Sequence, residues 1–496
     1  MTQSPSGREL VQDISLLTPE AVLLTAALLL LLLGVVLPHP RRRRLFTLVS
    51  LAGLAGSLAP LLPLTNSPEP WLDLSPLFLL DPLAVFFKAF LALAGAVTIL
   101  MSHDSPEIEG RYYNEYAVLV LTATAGMMLL VSARDLLMIY LAFETMSLLA
   151  YLLVSLKVRD VRAGEAALKY ILYGGFTSGV MLFGFSLLYG LSGTTDVAAT
   201  AQAVAAAGLH TQNRPLLVLA MLCLLAGLLF KTASFPFHFW CPDVYQGAPT
   251  PVTAFLSVGP KAAGFVLFIR LFYPLFAAAK SPAAYEALPG LKWPALLALI
   301  AAVTMTLGNL AALRQNNLKR LLAYSSIAHA GYLYMGLASL TRAGLESVVF
   351  YLTVYLFMNM GAFGFVTAVI SAGGGEDLPS YSGLGSKAPF LGVAMTVFLF
   401  SLIGLPPLAG FIGKIYLFAA VIEQKIYWLA VTAAVNTVIS LYYYVKVVKV
   451  IFLDPFASFE PRLTPGSKAL LVALMLPLFG LGLYWQPLAE TIGLIF

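Results

Sequence analysis

Glu144 lies nearly mid-way along LLMIYLAFETMSLLAYLL, with no basic residue close to it in sequence. Lys231 ends another apolar run, just ahead of the interruption SFPFHFWCP, and Lys261 follows Gly259 and Pro260 inside the next run. Lys414 stands in the second half of SLIGLPPLAGFIGK, beyond Pro406. Lys169 opens a further run in GEAALKYILYGG, and His329 sits mid-run among Tyr324, Ser325, Ser326 and Tyr332. A lysine at the centre of a bilayer helix costs about 2.5–3.5 kcal/mol on insertion scales, so each of these groups is a candidate for function.

The chemistry open to such a set is proton transfer. Desolvation disfavours the charged form of a lysine, and an opposite charge within about 4–6 Å favours it. A carboxylate in apolar surroundings needs a partner, and Lys231 is the first candidate for Glu144. Moving the two together or apart loads or unloads a proton, with no metal required. A neutral histidine such as His329 both accepts and donates. Blander readings stand beside these: a locking ion pair for Glu144 and Lys231, snorkelling to the headgroups for Lys169, and a hydrogen-bonded core histidine for His329. Lys88 and Arg270 read as charges at protein contacts or near an interface, and His238 reads as packing.

The elements that position these groups are membrane spans. The chain is 60% hydrophobic and 11% charged, against about 25% charged in soluble domains, and its mean hydropathy is +0.88. Apolar runs recur from end to end, about fourteen in all, beginning with Pro19–Leu37, which is too long for a cleaved leader. The reading is an all-α polytopic membrane bundle without a soluble catalytic domain. Its net charge of +5 is topological rather than a sign of nucleic-acid binding. Alternate loops carry about 16 basic residues against about 7 in the other set, which makes the first set cytoplasmic and places both termini on the opposite side. Cys223 and Cys241 lack CxxC spacing, so no disulfide framework or iron–sulfur site is signalled. A GxGxxA match at Gly383–Ala388 has no strand before it and is discarded as a dinucleotide site.

The seventh and twelfth spans are too long for single straight helices, and both contain proline breaks that free backbone carbonyls at membrane depth. They lie five spans apart. Two five-span units, one inverted relative to the other, place the breaks at matching positions, which points to an ion path. The expected division is an N-terminal three-helix segment (1–110), a first repeat (111–276), an inverted second repeat (277–453) and a last helix (454–496).

The stretches FKTASFPFHFWCPDVYQGAPTPVTAFLSVGPKA, LKRLLAYSSIAHAGY and GLPPLAGFIGK resemble the signatures of the antiporter-like membrane subunits of NADH–quinone oxidoreductase, respiratory complex I. That superfamily also contains subunits of sodium/proton antiporters and membrane hydrogenases. The resemblance covers almost the whole chain. It implies a fourteen-helix fold with inverted five-helix repeats and a proton path along buried charges. By position, Glu144 matches the acid of the fifth helix, Lys231 its partner lysine, Lys261 the central residue, Lys414 the terminal charge and Lys169 a basic residue of the sixth helix. The short C-terminal end and a lysine rather than a glutamate on the twelfth helix favour the N-type, or subunit 2, branch.

The resemblance implies further that this chain binds no cofactor. NADH or another donor, FMN, iron–sulfur clusters and quinone belong to partner subunits, and the partners are other membrane-arm subunits and lipid. A bacterial inner membrane or a thylakoid membrane fits. A stand-alone cation/proton antiporter subunit and a mainly structural membrane-arm subunit are the alternatives.

Overall fold

The computed structural model describes residues 17–37, 42–66, 77–208, 211–455, 461 and 463–496. Arg8, Arg41 and Arg462, used in the charge count, lie outside the described residues, as does the start of the chain.

The spans are α1 (Thr18–Val36), α2 (Arg42–Leu58), α3 (Pro82–His103), α4 (Tyr113–Ser132), α5 (Leu136–Val154) and α6 (Val161–Ser192). After the short helix Val197–Gly208 come α7a (Arg214–Lys231), α7b (Trp240–Gly247) and α8 (Thr250–Phe276). Then follow α9 (Trp293–Leu313), α10 (Leu318–Ala338), α11 (Arg342–Ser371), α12a (Pro389–Ile403), α12b (Ala409–Glu423), α13 (Tyr427–Leu453) and α14 (Pro465–Leu483). Twelve helices among the described residues are long and apolar enough to cross a membrane. With α10 and the broken pair α12a–α12b they give the fourteen crossings expected. A two-stranded antiparallel hairpin, β1 (Ala277–Ser281) and β2 (Ala284–Ala287), follows α8.

Short polar residues start the helices. Asp81 accepts from the Ala84 amide at 2.8 Å, Asp135 from that of Leu137 at 2.8 Å, and Asn317 from that of Arg320 at 3.1 Å. Each satisfies an N–H group that would otherwise be an orphan at the first turn. Proline at the first turn of α1, α3, α8 and α9 removes one such donor outright.

Both expected breaks are present. α7a stops at Lys231 and resumes at Trp240 across Pro236, and α12a stops at Ile403 and resumes at Ala409 across Pro406 and Pro407. Each broken helix is the fourth of the five expected for its unit, α4–α8 or α9–α13. Pro260 behaves differently, because it lies inside a continuous helix. The core sits along α8, where every residue of Thr250–Leu267 is buried, whereas α1 turns Leu28, Leu29, Leu31 and Leu32 outward as a lipid-facing side does. Helices in lipid associate by close backbone approach. At the α9–α10 crossing a Cβ on Gly331 would lie 2.6 Å from the Met305 nitrogen, so only glycine fits.

Candidate functional site

Helix α10 is the common support of the site. Ser326, His329 and Tyr332 follow at three-residue steps, which spreads them over about 9 Å of the helix axis on neighbouring faces. Lys261 of α8 donates to the Ser326 carbonyl at 2.8 Å and to its hydroxyl at 2.5 Å. His329 Nδ1 meets the Tyr351 hydroxyl of α11 at 2.7 Å, and its Nε2 meets the Tyr444 hydroxyl of α13 at 3.3 Å. The Tyr444 hydroxyl also bonds Ser325. Lys414 of α12b lies 4.6 Å from the centre of the Tyr332 ring and donates to the Ile403 carbonyl at 2.8 Å. Ile403 is the last residue of α12a. The proline break thus supplies the polar atom that holds the lysine.

At the other break, the Trp240 indole donates to the Phe230 carbonyl at 3.1 Å. Lys231 donates to the Ser147 hydroxyl of α5 at 2.9 Å and lies 5.2 Å from the centre of the Phe143 ring. Lys231, Lys261, His329 and Lys414 are all between 1% and 5% exposed.

Glu144 and Lys231, expected as partners, are not in direct contact in this geometry. No Glu144 oxygen lies within 4.0 Å of Lys231, because Ser147, one turn further along the same face of α5, takes the ammonium. Glu144 is half-buried, and one of its oxygens is enclosed without a hydrogen-bond partner. A more deeply buried acid is Glu20 of α1, 2% exposed and 2.8 Å from Lys88. Lys88 is therefore a buried internal charge. Arg270 is held by Asp81 and the Val131 carbonyl, as expected for a charge at a protein contact. His238 packs beside Phe239 with its Nδ1 unpartnered.

Lys169 is not brought into the buried row. Its side chain is 38% exposed and bonds Glu165 and Asp243, each at 2.7 Å. The same Asp243 accepts from Arg320 at 2.7 Å.

Lys319 departs furthest from the sequence reading. Counted there as a loop charge, it is the second residue of α10, and its side chain is fully buried. It bonds Glu376 at 3.1 Å and the carbonyls of Gln246 and Ala248 at 3.1 and 2.7 Å, with Glu107 at 3.9 Å. Glu107 in turn bonds Lys157 at 2.5 Å and the Thr250 amide at 2.8 Å. Burial acts to raise the Glu107 carboxyl, but Lys319 and Lys157 outweigh it and hold the group below its ordinary value. A carboxylate so depressed in the fold adds stability above its unfolded value of about 4.3, and that stability is lost as pH falls through the lower folded value. Glu107→Gln is accordingly expected to flatten the acid limb of the thermal-stability profile below about pH 4.3. A limb of unchanged slope would contradict the assignment.

The basic side chains therefore fall into two classes. Lys88, Lys169, Lys319 and Arg270 each have a carboxylate partner. Among the described residues, Lys231, Lys261 and Lys414 have none within 4.0 Å and are held only by hydroxyls, carbonyls and aromatic faces. No group of three or more metal-ligating side chains occurs among the described residues.

Residues 133–440 match the family described as NADH:quinone oxidoreductase/Mrp antiporter, TM. The chain is 44% identical to NADH-quinone oxidoreductase subunit N of Anaeromyxobacter sp. (strain Fw109-5), over 95% of this chain and 94% of that protein. It is 40% identical to the subunit N of Moorella thermoacetica (strain ATCC 39073 / JCM 9320), over 96% and 97%. Among solved structures, a chain of respiratory complex I from Thermus thermophilus with bound Aureothin superposes with a TM-score of 0.76 at 35% identity, covering 95% of this chain and 98% of that one. A chain of the Mrp complex from Dietzia sp. DQ12-45-1b shares the fold, with a TM-score of 0.82 at 23% identity over 98% and 97%. With a family match over more than half its length and relatives of this identity along nearly all of it, the chain belongs to the NADH:quinone oxidoreductase/Mrp antiporter transmembrane family, on the branch of the N subunits.

Proposed function

We propose that this chain is a proton-translocating membrane subunit of NADH–quinone oxidoreductase and that Lys231, Lys261, His329 and Lys414 carry the proton, with Glu144 setting the charge state of the first lysine. The observation that carries the reading is the absence, among the described residues, of carboxylate partners at the three lysines within 4.0 Å, set against the paired state of Lys88, Lys169, Lys319 and Arg270. An ammonium bound to a carboxylate is fixed as a charge. One held by a hydroxyl and a carbonyl in a dry bundle gives up its proton with far less rearrangement. Ser326, His329, Tyr351 and Tyr444 supply the hydroxyl and imidazole groups between Lys261 and the second unit. Lys414 then stands at the second break.

The magnitudes agree. Moving one charge against 100 mV costs about 2.3 kcal/mol. A change of two pKa units at one group supplies roughly 2.7 kcal/mol. Motion of Glu144 relative to Lys231, relayed by Ser147, is the switch in this scheme. Lys169, matched by position to the sixth-helix base, is held by Glu165 and Asp243 and stands outside this row. The chain itself contributes no redox centre. NADH or another donor, FMN, iron–sulfur clusters and quinone are placed in partner subunits, and the catalytic label belongs to the whole oxidoreductase. The residue ranges 111–276 and 277–453 are taken as the two inverted repeats, and a bacterial plasma or thylakoid membrane as the location, with both termini on its non-cytoplasmic side.

Native purification tests the assignment. The expected result is co-migration with peripheral flavin and iron–sulfur subunits, and proton uptake by vesicles when a quinone is reduced. Sodium gradient-driven proton flux by this chain alone would instead support a cation/proton antiporter. Intact pumping after Lys261 and Lys414 are both neutralised would support a structural role.

A further inference from the structure

The first turn of α10 carries two adjacent cations, Lys319 and Arg320. Positive charge at a helix N-terminus is disfavoured by the helix dipole, so carboxylates must hold both residues in place. Both grip the half-helix α7b. Arg320 bonds the Asp243 carboxylate at 2.7 Å and the Gln246 side-chain oxygen at 3.0 Å. Lys319 bonds the carbonyls of Gln246 and Ala248, where α7b turns into α8. The carboxylates that compensate Lys319 come from elsewhere: Glu107 from the α3–α4 connection and Glu376 from the α11–α12 connection. Glu107 also caps the start of α8 through the Thr250 amide. Seven residues beyond Lys319, the same helix presents Ser326 to Lys261, and three further on it presents His329.

We propose that Lys319 and Arg320 are positioning residues, forming a clamp by which the second five-helix unit holds the C-terminal half of the first unit's broken helix. Displacement of α7b then moves α10, and with it the Ser326 and His329 contacts that join Lys261 to the second unit. The clamp rests on the proton-translocation reading. It adds a mechanical link between the breaks, through side chains that take no part in carrying the proton.

The test uses the assembled complex in vesicles, with protons per electron pair, quinone reduction per assembled complex and subunit content measured together. Arg320→Gln and Asp243→Asn are the primary variants, because these two side chains are only partly buried. Each is expected to remove the same share of the protons as Lys261→Met, with quinone reduction and subunit content retained. The double variant should lose less than the sum of the two single losses, since the Arg320–Asp243 contact is removed in both. Arg320→Lys should restore most of the loss, and Lys319→Met should repeat the defect where it assembles. Unchanged stoichiometry in Arg320→Gln, additive losses in the double variant, or a loss matched by disappearance of the chain from the complex would each overturn the clamp. If Lys261→Met lowers the stoichiometry and Arg320→Gln does not, the clamp alone fails. If neither does, the proton-translocation reading fails.

Discussion

Glu20→Ala is expected to destabilise the chain by about 3–5 kcal/mol, read as early heat-induced loss of the subunit from detergent-purified complex. The ammonium of Lys88 lies 2.8 Å from Glu20, and the two side chains are 1% and 3% exposed. No other carboxylate lies within 4.0 Å of Lys88 among the described residues, so removing Glu20 strands a positive charge inside α1 and α3. Neither Glu20 oxygen has a further hydrogen-bond partner, so the pair gains little beyond its mutual attraction. The double replacement Glu20→Leu with Lys88→Met should accordingly be neutral or stabilising, by as much as about 4 kcal/mol. A single variant as heat-resistant as the double would contradict this account of the pair.

Replacing Lys261 or Lys414 by methionine should act in the opposite sense on stability. Both are buried, and neither has a counter-ion among the described residues within 4.0 Å. Methionine removes the cost of burying the charge and keeps most of the volume. What is lost is a donor to Ser326 or to the Ile403 carbonyl, roughly 1–3 kcal/mol for an acceptor left unsatisfied. The expected result is a melting temperature equal to or above that of the unaltered complex, together with a loss of pumping. A steep fall in melting temperature would show that these lysines hold the bundle together, and would return them to a structural role.

Much of the architecture is legible in the sequence, because bilayer burial leaves few options. Uninterrupted apolar runs become spans, and the proline stretches at Pro236 and Pro406 become breaks. Lysines inside those runs are conspicuous for the same reason. Side-chain partners are much less legible. Nothing in the spacing of LAFETMSLLA says that Ser147 rather than Glu144 receives Lys231, since both lie on one face and the choice depends on how α7a packs against α5. The burial of Lys319 is hidden too. A basic residue at the edge of an apolar run reads as a loop charge, and only the folding-back of the chain around Glu107 and Glu376 encloses it. Glu20, close to the start of α1, was screened in the same way by its place near the end of a run. Asp243 follows Pro242 in the first turn of α7b and carries no periodicity, yet it joins α6 to α10 through Lys169 and Arg320.

The central claim is that buried lysines with no carboxylate within 4.0 Å among the described residues carry protons through this subunit. Its most direct test is the number of protons moved per electron pair by vesicles containing the complex with Lys261→Met, at wild-type subunit content. The account predicts fewer protons per electron pair while quinone reduction continues. An unchanged ratio would contradict it.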